Sequence, residues 1–162
     1  MKITKIELGD IFELESEDGC KIFFQCVETP LDRKNEIELV KVLAQIFDSD
    51  SNGVKEFFKH EEGQYFYNRF PLRAALRKKI VKKLINVPLP NSFKAPKFYR
   101  TTNFNGDAWQ IIDAVTLKRE TVAELNNEQK KLSPWGMIND TLMFELLKKG
   151  WNLENWTLDN MW

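Results

Sequence analysis

"LINVPLPNSFKAPKF", residues 84–98, decides between two architectures. Three of the chain's six prolines, Pro88, Pro90 and Pro96, fall inside it. A flexible tether here would divide the 162 residues into two units, whereas a fixed extended segment would lie within one. Each proline pushes the residue before it toward extended backbone. Flexible linkers are rich in Gly and Ser, but this stretch carries Val87, Leu89, Phe93, Phe98 and Tyr99. Anchors of that size would be wasted in solvent. The segment is therefore expected to dock across one domain that spans residues 1–162.

Upstream, the pattern is that of sheet. "DIFELES" (10–16) and "KIFFQCVET" (21–29) flank "EDG", a hairpin signal at Asp18-Gly19, and Pro30 ends the second strand. After the polar loop "LDRKN" (31–35), "EIELVKVLAQIFD" (36–48) is long enough for a helix, but its flanking loops and the preceding hairpin favour a third strand. "VKEFFKH" (54–60) predicts a short helix with Val54, Phe57 and Phe58 on one face. An aromatic cluster follows at Tyr65, Phe66, Tyr67 and Phe70. Leu72, Leu76, Ile80 and Leu84 recur at four-residue spacing, which fits one helix begun by Pro71. It fits equally a short helix followed by a strand at "KIVKKLIN" (79–86), and the local pattern leaves both open.

Downstream, "FNGDAWQIIDAVT" (104–116) predicts a turn and a strand with Trp109, Ile111 and Val115 facing one side. "LKRETVAELNNEQKKLS" (117–133) predicts a short strand, then a polar turn or short helix. "NDTLMFELLKKG" (139–150) is the clearest helix, with the C-terminal helix expected at about 140–149. Asn139 or Asp140 caps it, Leu142, Met143, Leu146 and Leu147 form its stripe, and Gly150 stops it. The fold class is therefore α+β: a curved, mainly antiparallel sheet in the N-terminal and middle parts with helices packed on it.

Composition supports a single core. Hydrophobic residues make up 43% of the chain, with 12 Phe and 5 Trp, and a chain of this size buries roughly 70% of its unfolded surface. Lys and Arg number 24, as do Asp and Glu, so there is none of the basic excess that marks a dedicated nucleic-acid binder. The opening "MKITKIELGDIFELE" alternates charged and apolar residues without a signal-peptide core, and no apolar run approaches the ~18 residues of a membrane span. A soluble cytoplasmic protein with no membrane partner is expected. Cys20 and Cys26 would lie about 20 Å apart on one strand, too far for a disulfide, so both are expected as free thiols.

No residue set announces catalysis. His60 is the only histidine, which excludes multi-histidine metal sites, and no nucleophile motif accompanies it. "DSDSNG" (48–53) matches the first six positions of a calcium loop, but Lys59 stands where the bidentate Glu belongs; a polar turn is the better account. The basic run Arg73, Arg77, Lys78, Lys79, Lys82 and Lys83 lacks interleaved aromatics for base stacking and is expected to be a solvated face. No catalytic, metal or cofactor residue is assigned. Trp109 is expected in the core, while Trp156 and Trp162 could be docked or exposed.

With these segments in place, the chain resembles the immunity protein 26 family of bacterial polymorphic-toxin systems. "GDIFELESEDGCKIFFQCVE" is similar to the family's opening G-D-[IV]-F, polar turn and aromatic strand. "LVKVLAQIFDSDS" is like its apolar strand ending in I-F-D. "LINVPLPNSFKAPKFYRTTNFNGDAWQIID" looks like its I-G-N-x-P-L-P, P-x-F and G-x-W-x-I-x-D closure. The likeness covers about residues 3–114. It departs from the family at "VKKLINV", where the family tends to show Trp and Ile-Gly.

The resemblance implies a non-enzymatic protein that binds and neutralises a cognate toxin domain. If that toxin is a nuclease with a basic cleft, Asp48, Asp50, Glu61 and Glu62 are the candidate contacts by charge complementarity. The competing expectations are a non-toxin interaction or regulatory module derived from a mobile element, and a hydrolase. Some relatives of the family carry a phosphotriesterase label, but one histidine cannot supply a binuclear metal site of that type.

Overall fold

Strand alternation sorts the N-terminal half into two apolar faces. In the computed structural model, which describes residues 5–30, 37–60 and 64–160, β1 (Asp10–Glu15) and β2 (Lys21–Glu28) form the expected hairpin, with Gly19 at φ +84°. β3 (Glu38–Leu43), β4 (Tyr65–Phe70) and β5 (Val81–Asn86) complete an antiparallel sheet of order β4-β3-β2-β1-β5. Phe12, Leu14, Phe24, Val40, Val42 and Phe66 point to one face, and Ile11, Phe23, Leu43 and Tyr65 to the other. "LDRKN" lies outside the described residues. Cys20 and Cys26 are free thiols, and burial pushes the Cys26 thiol up to about 12.

Helices cover the first face. α2 (Leu72–Arg77) buries Leu72 and Ala75. α3 (Asp140–Lys148) starts at Asn139, whose Oδ1 accepts the Leu142 N–H at 2.9 Å. It stops at Gly150, with the N–H groups of Gly150 and Trp151 donating to the carbonyls of Leu147 and Leu146, a Schellman closure. Its buried stripe is Met143, Phe144, Leu146 and Leu147; Phe144 joins it and Leu142 is only half-buried, a shift of the face expected from spacing alone. The same core takes in Trp109, Trp151 and Trp156. Trp156 is therefore docked, while Trp162 lies outside the described residues.

The second face is shared. α1 (Gly53–Phe57) and Phe47 cover one end, where Gly53 is required by packing: a Cβ there would stand 2.2 Å from the Phe23 ring. Phe57 is buried, but Phe58 is 51% exposed and does not share its face, because the helix ends at Phe57.

The other end of this face carries the proline segment. The Val87 N–H donates to the Gly9 carbonyl at 3.0 Å, and Gln25 Nε2 donates to the Val87 carbonyl at 2.9 Å. Phe93 then stacks near Tyr67, with ring centroids 6.4 Å apart. Val87 leaves the β5 edge and Tyr67 stands on β4 at the opposite edge. The segment is docked, as the apolar anchors predict, with Val87, Leu89 and Phe93 half-buried and Tyr99 buried, but it is not extended throughout: the Phe93 N–H donates to the Pro90 carbonyl at 2.9 Å and closes a turn at Asn91 and Ser92.

A second sheet follows, ordered β6 (Phe98–Thr102), β7 (Trp109–Asp113) and β8 (Arg119–Val122). The α+β class with mainly antiparallel sheet is the one observed, its strands divided between two antiparallel sheets joined by residues 133–138. On one side the Arg100 N–H donates to the Ser133 carbonyl at 3.0 Å and the Trp135 N–H to the Arg100 carbonyl at 3.0 Å. On the other, the Arg69 N–H donates to the Gly136 carbonyl at 3.2 Å and the Tyr67 N–H to Ser133 Oγ at 2.8 Å. Val115, expected to align with Trp109 and Ile111, instead lies beyond β7 in a turn and is 78% exposed.

The open choice at residues 72–84 resolves as helix then strand. Spacing of four keeps residues on one side of either element, since four is also a multiple of the strand period. The β1 edge decides it: Val81 pairs opposite Leu14, and Lys83 reaches the fully buried Asp10 at 3.0 Å. Lys79, at φ +57°, makes the reversal between the two elements.

Candidate functional site

Asp48 and Asp50 are exposed on the turn after Phe47. Lys21 and Phe47 exchange backbone hydrogen bonds of 2.8 and 2.9 Å, which lays that turn beside the β1–β2 hairpin. Gly19 of the hairpin turn thereby comes up against Ser49, between Asp48 and Asp50, a contact that needs the three-dimensional fold to see. Lys148 holds Asp18 at 2.8 Å; that contact, helped by the Ser16 hydroxyl, keeps the Asp18 carboxyl well below its usual range. Glu61 and Glu62 lie outside the described residues. The calcium-like pattern has a structural role instead, since Asn52 Oδ1 accepts the Lys55 N–H and caps α1. Among the described residues, no group of three or more His, Cys, Asp or Glu is placed to hold a metal ion. His60 sits beside Gln64 and Glu56 at the end of this turn region.

Two members of the basic run are paired within the protein. Lys83 serves Asp10, and Arg73 lies 3.6 Å from Glu38, itself nearly fully buried. Arg77, Lys78, Lys79 and Lys82 remain exposed.

The second sheet displays apolar side chains on both of its hairpins. At one end, Phe104 is fully exposed in a turn closed by Asn103, whose Oδ1 accepts the Asp107 and Ala108 N–H groups. At the other end stand Phe98, Val115 and Leu117, exposed by 43%, 78% and 61%. β7 and β8 are joined there by a turn that Asp113 organises: its Oδ1 accepts the Val115 and Thr116 N–H groups at 2.8 and 3.1 Å, and its carbonyl accepts the Leu117 N–H at 2.8 Å. Those amide donors, with Lys97 nearby, hold the Asp113 carboxyl below its ordinary value. Leu117 has φ +62°, a region that costs a non-glycine residue about 1–2 kcal/mol.

Sequence reasoning missed this site. The signal available was "DAVTLK", a tight turn between strands with no Gly or Asn at its left-handed position. Its size counts Phe98 among the anchors of the proline segment, whereas its partner position on β7 is Asp113, at the open end of the sheet.

Arg100 is the other residue that the sequence did not single out. It is fully buried, and its guanidinium donates to the carbonyls of Leu132, Lys130 and Leu153 at 3.0, 3.1 and 2.7 Å. It lies 4.8 Å from the Trp109 ring and 4.2 Å from the Trp156 ring. Burial lowers it to about 10. No carboxylate among the described residues pairs with it.

No family model, curated protein or solved structure matches the chain. No helix among the described residues is long and apolar enough to cross a membrane.

Proposed function

We propose that this protein acts by binding another protein, without catalysis, and that the partner is the toxin domain implied by the resemblance to the immunity protein 26 family. One observation supports this above others: Val115 and Leu117 are held out to solvent on an internally hydrogen-bonded turn beside the exposed Phe98 of β6, with Leu117 in a backbone conformation that glycine would adopt more easily. Natural sequences keep such local conflicts where function outweighs stability. Exposed apolar residues on a rigid frame also suit a pre-organised interface. Asp48 and Asp50 form the proposed second contact, for a partner with a basic cleft.

Co-expression with the toxin domain encoded beside this gene tests the proposal, scored by cell survival and by a co-purifying complex. Rescue with a complex is expected. Val115→Asp with Leu117→Gly should abolish both while leaving the fold intact, and charge reversal at Asp48, Asp50, Glu61 and Glu62 should weaken them. Survival that neither variant changes would sink the assigned surfaces. Absence of both rescue and complex would sink the toxin role and leave a regulatory interaction module as the better account.

A further inference from the structure

Tyr99 stands on β6 and is only 5% exposed. Its ring packs against Trp135, with centroids 5.5 Å apart, but its hydroxyl has no hydrogen-bond partner among the described residues. The side chain lines a cavity of about 100 Å³ between the two sheets, together with Leu39, Arg69, Ala114, Trp135 and Gly136. Burial pushes the hydroxyl up to about 12, and the Arg69 guanidinium, on the same cavity, opposes that push. At neutral pH the phenol therefore keeps its proton and can donate it. Arg69 engages two of its five N–H donors, one with the Ile37 carbonyl and one with Glu28. Among the described residues, no carboxylate lines the cavity. It thus presents side-chain donors in otherwise apolar walls, with no side-chain acceptor to meet them. Ala114 and Gly136 are followed directly by Val115 and Met137, exposed by 78% and 57%, so the cavity adjoins the apolar end of the second sheet. Exposed Lys97, Lys118 and Arg119 outnumber Asp113 and Glu120 there, which favours an anion on approach.

Resting on the reading of that apolar end as the interface, we propose that the cavity receives a carboxylate, the side chain of an Asp or Glu on the docking protein. The volume falls below the roughly 300–1,000 Å³ of a small-ligand site and suits the end of a side chain. The Tyr99 hydroxyl and the unengaged Arg69 N–H groups both donate to the incoming oxygens, and charge-assisted bonds of this kind are about twice as strong as neutral ones. A buried hydroxyl without a partner is unfavourable to the free protein, and docking removes that penalty.

The test follows the Trp135 indole N–H signal of ¹⁵N-labelled protein at fixed ionic strength. The probes are N-acetyl-aspartate amide, N-acetyl-glutamate amide, acetate and, as uncharged control, N-acetyl-glutamine amide. A saturable shift with an acidic amide at roughly millimolar concentration is expected, and the glutamine derivative should bind roughly tenfold more weakly. Tyr99→Phe removes only the hydroxyl. It should keep the thermal midpoint of the native protein, since that hydroxyl bonds no described residue, and lose most of the shift. Glu28→Gln should strengthen binding, because it frees an Arg69 donor and removes a like charge. Tighter binding of an acidic amide than of acetate supports a partner's side chain; tighter binding of acetate would overturn that source. No saturable shift with any acid, equal shifts with the glutamine derivative, or a shift that survives in Tyr99→Phe would overturn the site. So would a lowered midpoint in Tyr99→Phe, which would give the hydroxyl a role in the fold. No toxin is present in the titration, so its failure and a failure of co-expression are told apart.

Discussion

Single residues show where packing overrides local preference. Gly53 begins a helix, a place where glycine has no intrinsic advantage over a side-chain cap or alanine. It is there because Phe23, fully buried, occupies the space its Cβ would need, with three ring carbons within 2.8 Å. Gly53→Ala should thus destabilise the fold by about 1–3 kcal/mol through overpacking, despite alanine's better helix propensity. A lowered urea midpoint with an unchanged slope is the expected signature; an unchanged midpoint would mean that Phe23 moves freely. Asp18 makes a different prediction. Its folded carboxyl titrates below the ordinary value of 3.8 because Lys148 and Ser16 stabilise the anion. Its contribution is therefore present above that ordinary value and is lost as pH falls through the folded one. The difference in thermal midpoint between the native protein and Asp18→Asn should be full at neutral pH and shrink below about pH 4. Raised salt should also shrink it, because the pair is exposed.

At the scale of elements, two turns place a large side chain where the backbone is left-handed. Lys79 reverses the chain between α2 and β5, and Leu117 closes the hairpin between β7 and β8. Replacing either by glycine relieves the strain but adds freedom to the unfolded chain, for a net gain of about 0.5–1 kcal/mol. Both variants should raise the thermal midpoint. Only Leu117→Gly should also weaken partner binding, because only Leu117 belongs to the exposed apolar end of the second sheet. Equal effects on binding would remove the case for that end as an interface. These turns also mark the limit of legibility. The hairpin at Asp18-Gly19, α1, α3 and the docked proline segment could be read from turn residues, periodicity and anchor size. The helix-to-strand change at Lys79 could not, because the partner that decides it is β1, some 65 residues away in the sequence and invisible to any local window. The Asp48–Asp50 turn was legible as a turn, but the β1–β2 hairpin turn it lies against, at Gly19, is about thirty residues away in the sequence.

For the whole molecule, Arg100 is the residue on which the C-terminal part converges. Its side chain ties β6 to the carbonyls of Lys130, Leu132 and Leu153, and it fills the angle between Trp109 and Trp156. Two effects compete when it is replaced by methionine. Removing a desolvated cation that has no carboxylate partner favours the variant, and buried charges exchanged for apolar groups of like volume can be neutral or stabilising. Against this, three carbonyls lose their donor, the one of Leu153 in a buried bond and those of Leu132 and Lys130 in part-buried ones, and a buried orphan costs about 1–3 kcal/mol. An apolar side chain offers them nothing, whereas the guanidinium satisfies all three at once, so the loss should prevail. Arg100→Met is expected to destabilise the protein by about 3–5 kcal/mol, with Arg100→Lys no real remedy, because one ammonium cannot reproduce the planar fork. The damage should be uneven. The first sheet keeps its own strand pairing and its contacts with α2 and α3, whereas the tail beyond Trp151 depends on the Leu153 bond and on the tryptophan stack. Hydrogen exchange should therefore accelerate first in residues 129–133 and 152–158, before β1 and β2. Uniform acceleration across both sheets would show that Arg100 supports the core as a whole and not the junction between the tail and the second sheet.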